Sequence, residues 1–168
     1  MSKRERMLEK AREYTTGTYI RKFVANVFQL MIRAEAGCLP AGQVNAMKGG
    51  YLVKVSRRVG ECVCVTCGAV HPWKGNQGKM HTGHFIGSRR NSILFEETNV
   101  APQCALCNRH KNGMPQAFRA WMEFVRGKEE VERLERLRNT TRQFSREELV
   151  EMRLGYMERL KIAEGKMQ

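Results

Sequence analysis

Apolar residues near the start of the chain recur in a helical rhythm. Between 19 and 36, Ile20, Phe23, Val24, Val27, Phe28, Met31 and Ile32 fall at i, i+3, i+4, i+7 and i+8, which gathers them on one helix face. A charged, helix-favouring stretch over 3–13 precedes them, interrupted by Thr15-Thr16-Gly17-Thr18. Gly37, followed by Pro40, supplies the stop. Residues 38–50 are small and glycine-rich and read as a loop. The period then changes, because residues 51–59 alternate as a strand does. Lys54, Arg57 and Arg58 give that strand a basic edge. Residues 62–111 read as short strands and turns, with glycine-rich connections around Gly75 and Gly78 and a helix starting near Gln103 or Cys104. After Pro115 the helical rhythm returns, with Phe118, Trp121, Met122 and Val125 on one side of 116–126. More helix is expected over 128–138, broken by Asn139-Thr140-Thr141. Ser145 with Glu148 forms a capping box for a last helix to about Ala163, packing through Leu149, Met152, Leu160 and Ile162.

Cysteine changes this picture. Cys64-x-x-Cys67 and Cys104-x-x-Cys107 are matched pairs about 40 residues apart, the usual signature of one four-cysteine zinc site. Gly68 suits a tight knuckle after Cys67. A closed tetrahedron leaves no open position, so zinc there is structural. Cys62 is an alternative ligand, and Cys38 reads as a small apolar residue. The expected class is α+β: a zinc-stabilised ββα core over 62–114, flanked by a basic helix-and-strand region, 1–61, and a helical region, 115–168. Six cysteines without an apolar leader fit a reducing, cytoplasmic compartment. No apolar run approaches the roughly 18 residues that span a bilayer, so no membrane partner is expected.

Charge narrows the partner. Lys and Arg total 30 against 17 acidic residues, a net of +13, distributed as +7 over 1–61, +4 over 62–114 and +2 over 115–168. This excess points to nucleic acid. Every acidic residue is a glutamate, so a metal site must draw on His, Asn, Glu, Cys or backbone. His and Asn residues clustered about a zinc-held ββα unit suggest metal-dependent cutting of a phosphodiester backbone. That chemistry needs a base, a divalent cation and a group that fixes the base's tautomer. His84 is the candidate base, with a packing histidine as the alternative. Asn99 would pin the loop carrying His84, or cap a following helix. Asn108, aimed by the knuckle, would offer its side-chain carbonyl to Mg²⁺ or Mn²⁺, or brace the knuckle. His81 and His110 stand open between metal ligand, phosphate contact and surface residue, and His71 reads as a loop residue. Arg89, Arg90, Arg109 and Lys111 suit phosphate contacts, as do Lys54, Arg57 and Arg58. Trp73 and Trp121 read as packing residues.

The order CxxC, GH, N, CxxCN, xH, K resembles that of the HNH (His-Me finger) endonucleases. More closely, residues 62–165 resemble the NinG/Rap recombination proteins of lambdoid phages. The resemblance rests on Cys64-Val-Thr-Cys67-Gly68, Gly83-His84-Phe85, Phe95-Glu-Glu-Thr-Asn99-Val, the run from Gln103 to Gly113, and Phe144-Ser-Arg-Glu-Glu-Leu. It implies a structure-specific endonuclease acting on branched DNA, such as Holliday junctions and D-loops, in the bacterial host cell. It also implies His84 as general base, Asn99 as the motif's middle residue, Asn108 as a Mg²⁺ ligand and zinc on the four cysteines. Many HNH enzymes place an acidic residue before the catalytic histidine, where this chain has Gly83. His81, His110 and Glu97 are then the candidates for further metal ligands. Residues 1–61 do not obviously match and are expected to grip DNA or to dimerise, unless the chain's own core absorbs the apolar face of the 19–36 helix. The alternatives are a non-cleaving zinc-stabilised DNA-binding accessory protein and an HNH nuclease acting on linear duplex.

Overall fold

Side-chain caps open three of the described helices. In the computed structural model, which describes residues 1–74, 79–87 and 91–168, Ser2 and Glu5 form a capping box for α1 (Lys3–Arg12). Thr15 accepts from the Thr18 N–H and opens a second run: α2 (Thr16–Tyr19), a π-wound segment (Ile20–Val24) and α3 (Ala25–Cys38). Gly37 is not the stop expected of it. It lies inside α3, where a Cβ would come within 2.9 Å of the Trp73 Cβ, so its role is close approach.

Residues 42–48 form a strand and not the expected loop. β1 (Gly42–Lys48) pairs antiparallel with β2 (Tyr51–Arg57), from Lys48 opposite Tyr51 to Gly42 opposite Arg57. Gly49 and Gly50, at φ +58° and +87°, make the two-residue turn that right-twisted strands favour. The strand was hidden because Ala46 and Met47 are buried consecutively, which breaks the alternation that marks a half-buried strand.

Next come β3 (Glu61–Val63) and β4 (Val70–Pro72), an antiparallel pair that holds His71 in a strand and not a loop. β5 (Met80–His84) precedes α4 (Asn91–Leu94), a 3₁₀ turn (Glu97–Asn99) and β6 (Val100–Cys104). β5 and β6 pair with His81 opposite Gln103 and His84 opposite Val100. A π-wound turn (Leu106–His110) follows at once, then α5 (Pro115–Arg126), α6 (Lys128–Arg138) and α7 (Arg146–Gly165). The expected Ser145–Glu148 capping box opens α7. Small antiparallel sheets among helices make the fold α+β, as expected.

Two apolar cores result. Tyr19, Val24, Phe28 and Met31 bury against Leu149, Val150 and Tyr156 of α7, with Met7 and Ala11 of α1 and Val100 of β6 in the same cluster. The first and last segments therefore share one core, and α7 covers the apolar face that a second copy might have used. The other core joins Met47, Val65 and Ile93 to Phe118, Trp121, Met122, Val131 and Leu134. Val125 and Ile162, expected to pack, are 40% and 51% exposed. Among the described residues no helix is long and apolar enough to cross a membrane.

Candidate metal centre and the cleft beside it

Gly68 adopts φ +76° and donates its N–H to the Cys64 carbonyl at 2.8 Å, closing the first knuckle. Cys104 ends β6 and Cys107 lies in the π-wound turn after it. Together these elements bring the sulfurs of Cys64, Cys67, Cys104 and Cys107 within 4.8 Å of one another. The Cys67 and Cys104 Sγ atoms are 3.8 Å apart, matching the roughly 3.8 Å edge of a tetrahedron with Zn–S bonds of about 2.3 Å. Burial pushes the Cys104 thiol up to about 11 and raises that of Cys67 as well. A bound cation reverses that preference by stabilising thiolate. The four cysteines could thus hold a metal such as zinc. Cys62 is not an alternative ligand: its Sγ donates to the Arg33 carbonyl at 3.2 Å, and burial pushes its thiol to about 12. Cys38 likewise bonds the Glu35 carbonyl.

Beside this centre a cleft of about 580 Å³ runs along β5, between α3 and the 106–110 turn. His81, His84, Asn108 and Arg109 line it, with Gln29 and Arg33 of α3. His84 Nε2 lies 3.2 Å from the Leu94 carbonyl oxygen. A carbonyl only accepts, so Nε2 carries the proton and Nδ1 of the neutral ring carries the lone pair. Burial lowers the His84 pKa below the ordinary histidine value, which favours that neutral form.

Asn99, fully buried, holds the chain on the far side of His84. Its Oδ1 accepts from the Ile86 N–H at 2.9 Å, while Nδ2 donates to the carbonyls of Ile86 at 3.3 Å and Ile93 at 3.4 Å. Its own carbonyl accepts from the Phe85 N–H at 2.8 Å. It caps no following helix, because β6 begins at the next residue. Asn108 Nδ2 lies 3.1 Å from His81 Nδ1. The amide N–H donates to the ring, and Asn108 Oδ1 remains an acceptor.

The glycine before His84 has a packing reason. A Cβ on Gly83 would stand 2.4 Å from Gln103 Oε1 and 2.9 Å from its Cβ. Gln103 cannot give way easily, since its Nε2 is bonded to Thr66 Oγ1 at 3.0 Å and to the Gly113 carbonyl at 2.7 Å. Asn112, Gly113 and Met114 are all left-handed, at φ +49°, +79° and +52°. Asparagine takes this region readily, so the strain falls on Met114, next to the cleft-lining Asn112 and Gly113.

Other expected site residues fall elsewhere. His110 is exposed and does not line the cleft. Glu97 is bound by Arg159, at 2.8 Å through its Oε2, and that guanidinium holds the carboxyl below its usual range. Arg57 does not form a basic edge. It is 6% exposed and donates to the carbonyls of Gly37, Pro40, Arg58 and Glu61, which ties down the C-terminal end of α3. Lys54, Arg58 and Lys111 are exposed and outside the cleft lining. Arg89 and Arg90 lie outside the described residues. Among the described residues no carboxylate lines the cleft. Arg33 and Gln29 were not foreseen, because they sit on the polar side of an amphipathic helix, where the pattern assigns solvent.

Both knuckles, His81, His84, Asn99 and Asn108 lie within residues 51–166, the segment matched by the sequence model of the bacteriophage lambda NinG protein. No curated protein and no solved structure matches the chain. The matched segment takes up well over half of the chain and carries its whole cysteine centre, and the chain belongs to the bacteriophage lambda NinG family.

Proposed function

We propose that this chain is a metal-dependent endonuclease that hydrolyses phosphodiester bonds in branched DNA, and that β5, β6 and the turn after them form an HNH-like ββα core. The observation that carries the reading is the fixed tautomer of His84, whose Nδ1 lone pair belongs to a ring at the cleft wall. A water hydrogen-bonded to Nδ1 passes its proton to the ring as its oxygen attacks phosphorus. Asn99 keeps the backbone after His84 in place. Asn108 Oδ1, oriented by His81, would hold Mg²⁺ or Mn²⁺. When bound, such a cation stabilises charge on the phosphate and the leaving 3′-oxygen. The +13 charge supports DNA as partner, and the resemblance to recombination nucleases supports branched DNA.

The test incubates wild type and His84→Ala with labelled four-way junction and matched linear duplex, in Mg²⁺, Mn²⁺ or EDTA. Metal-dependent cutting of the junction by wild type alone is expected, with the variant at least about 100-fold slower. Equal cutting of linear duplex would redirect the reading to a duplex nuclease. Because the His84 pKa is lowered, the base stays neutral below the ordinary histidine range near 6.5. The acid limb of the cleavage profile should therefore fall below the ordinary histidine range; an acid limb centred at or above about 6.5 would contradict the assignment.

A second reading, a zinc-stabilised DNA-binding accessory protein without cleavage, is favoured by the absence of a carboxylate lining the cleft among the described residues. It predicts salt-sensitive junction binding that His84→Ala leaves unchanged, with no cutting in any metal.

A further inference from the structure

Most guanidiniums of the described chain that line up with carboxylates do so in pairs. Arg159 is bound to Glu35 and Glu97, Arg133 to Glu96 and Glu130, and Arg119 to Glu123 and Glu135. Arg33 differs. It lines the cleft with His81, His84 and Asn108, and no carboxylate counter-charge acts on it among the described residues. Its Nε is buried without a hydrogen-bond partner. A guanidinium keeps its proton in such surroundings, so a half-buried positive charge stands uncompensated in the cleft, an arrangement that costs stability unless an anion arrives.

Arg33 is also held rigidly. Its Nη1 donates to the Met80 carbonyl at 2.8 Å, on the strand that carries His81 and His84. Its own carbonyl accepts from Cys62 Sγ. Thr82 Oγ1 donates to the Gln29 carbonyl at 2.8 Å, a second tie between α3 and β5. A cation with one N–H anchored and its backbone fixed is preorganised to meet a phosphate without reordering.

We propose that Arg33 is the phosphate-clamping group of the cleft: its guanidinium donates to a non-bridging oxygen of the DNA phosphate that His84 addresses. This rests on the endonuclease reading above. It assigns α3, which precedes the family-matched residues 51–166, a part in the site, and it separates the half-buried Arg33 from Arg109, which also lines the cleft but is exposed.

The test uses the full chain. The side-chain Nε–H resonance of Arg33, assigned by its loss in Arg33→Lys, is followed while the dinucleotide TpT is added in EDTA. In parallel, single-turnover junction cleavage is measured for wild type, Arg33→Gln and Arg33→Lys. The expected result is a saturable shift of the Arg33 resonance and a loss of about 100-fold in cleavage rate for Arg33→Gln. Arg33→Lys should recover part of the rate, and both variants should melt near wild type. A resonance unmoved by TpT, or Arg33→Gln cutting at the wild-type rate, overturns the proposal. A slowed Arg33→Gln whose melting temperature falls in step, with no rescue by lysine, assigns Arg33 a bracing role and overturns it too. If the resonance shifts while wild type cuts no DNA in any metal, the phosphate contact stands and the endonuclease reading falls.

Discussion

In the helical layer, Phe28 and Met31 of α3 meet Leu149 and Tyr156 of α7 in a continuous apolar core. In the cysteine layer the buried cluster is Cys62, Cys64, Met80, Cys104 and Cys107, and the strands around it are three to five residues long. Burial of large side chains holds the first, at about 1.5–3 kcal/mol for each residue. Strands that short cannot supply comparable area, so the second would gain most from a cation shared by its four cysteines, which lie close enough to hold one. The cleft lies where the two layers meet, lined by Gln29 and Arg33 of α3 and by His81 and His84 of β5.

Removing the cation should therefore have the largest effect. Metal analysis of purified protein should return one zinc per chain, and Cys104→Ser or strong chelation should melt the cysteine layer, because apparent zinc-binding energies of about 10–16 kcal/mol in small zinc modules are folding energy. Circular dichroism would retain helical signal if the α1–α3–α7 layer survives alone. Cys104→Ser with wild-type melting and full junction binding would erase the distinction between the two layers.

Leu149→Ala comes next. Leu149 is fully buried in the α3–α7 core, and a truncation of this kind costs roughly 2–5 kcal/mol, read from a denaturant midpoint. Zinc content should stay at one per chain. Loss of zinc in this variant would mean that the two layers fold as one unit.

Gly83→Ala tests a smaller and more local term. The added methyl meets Gln103, which is pinned by Thr66 and Gly113, and overpacking of this kind costs about 1–3 kcal/mol. Gly83→Asp, built to restore the acidic residue of many HNH enzymes, should be worse than Gly83→Ala and should not raise cleavage.

These sites show what sequence can and cannot carry. The cysteine pairs were legible because a knuckle is written within four residues, and α7 because Ser145, Glu148 and its apolar positions are local. The β1 strand was missed because its burial is set by α5, which Trp121 Nε1 ties to the Asn45 carbonyl. Arg57 looked like a surface cation because nothing nearby in sequence signals the carbonyls of Gly37 and Pro40 around it. Gly83 gained a reason only once Gln103 stood across the strand pair. Arg33 gained one only once β5 packed against the polar side of α3. Each miss is a contact between elements, which one-dimensional periodicity does not contain.

The smallest expected effect lies in an ion pair that joins the two layers. Lys74 Nζ, just past β4, lies 3.0 Å from Glu164 Oε1 on α7, with side chains 65% and 36% exposed. Exposed pairs of this kind contribute about 0.2–1 kcal/mol and are screened by salt. Lys74→Met, Glu164→Gln and the double variant, compared in a denaturant cycle at low and high salt, should give a coupling below about 0.5 kcal/mol that vanishes at high salt. A larger, salt-resistant coupling would mean that surface charge helps fasten the layers. The expected result leaves that work to the part-buried Thr82–Gln29 hydrogen bond and to Val100, which lies opposite His84 on the strand pair and packs in the helical core.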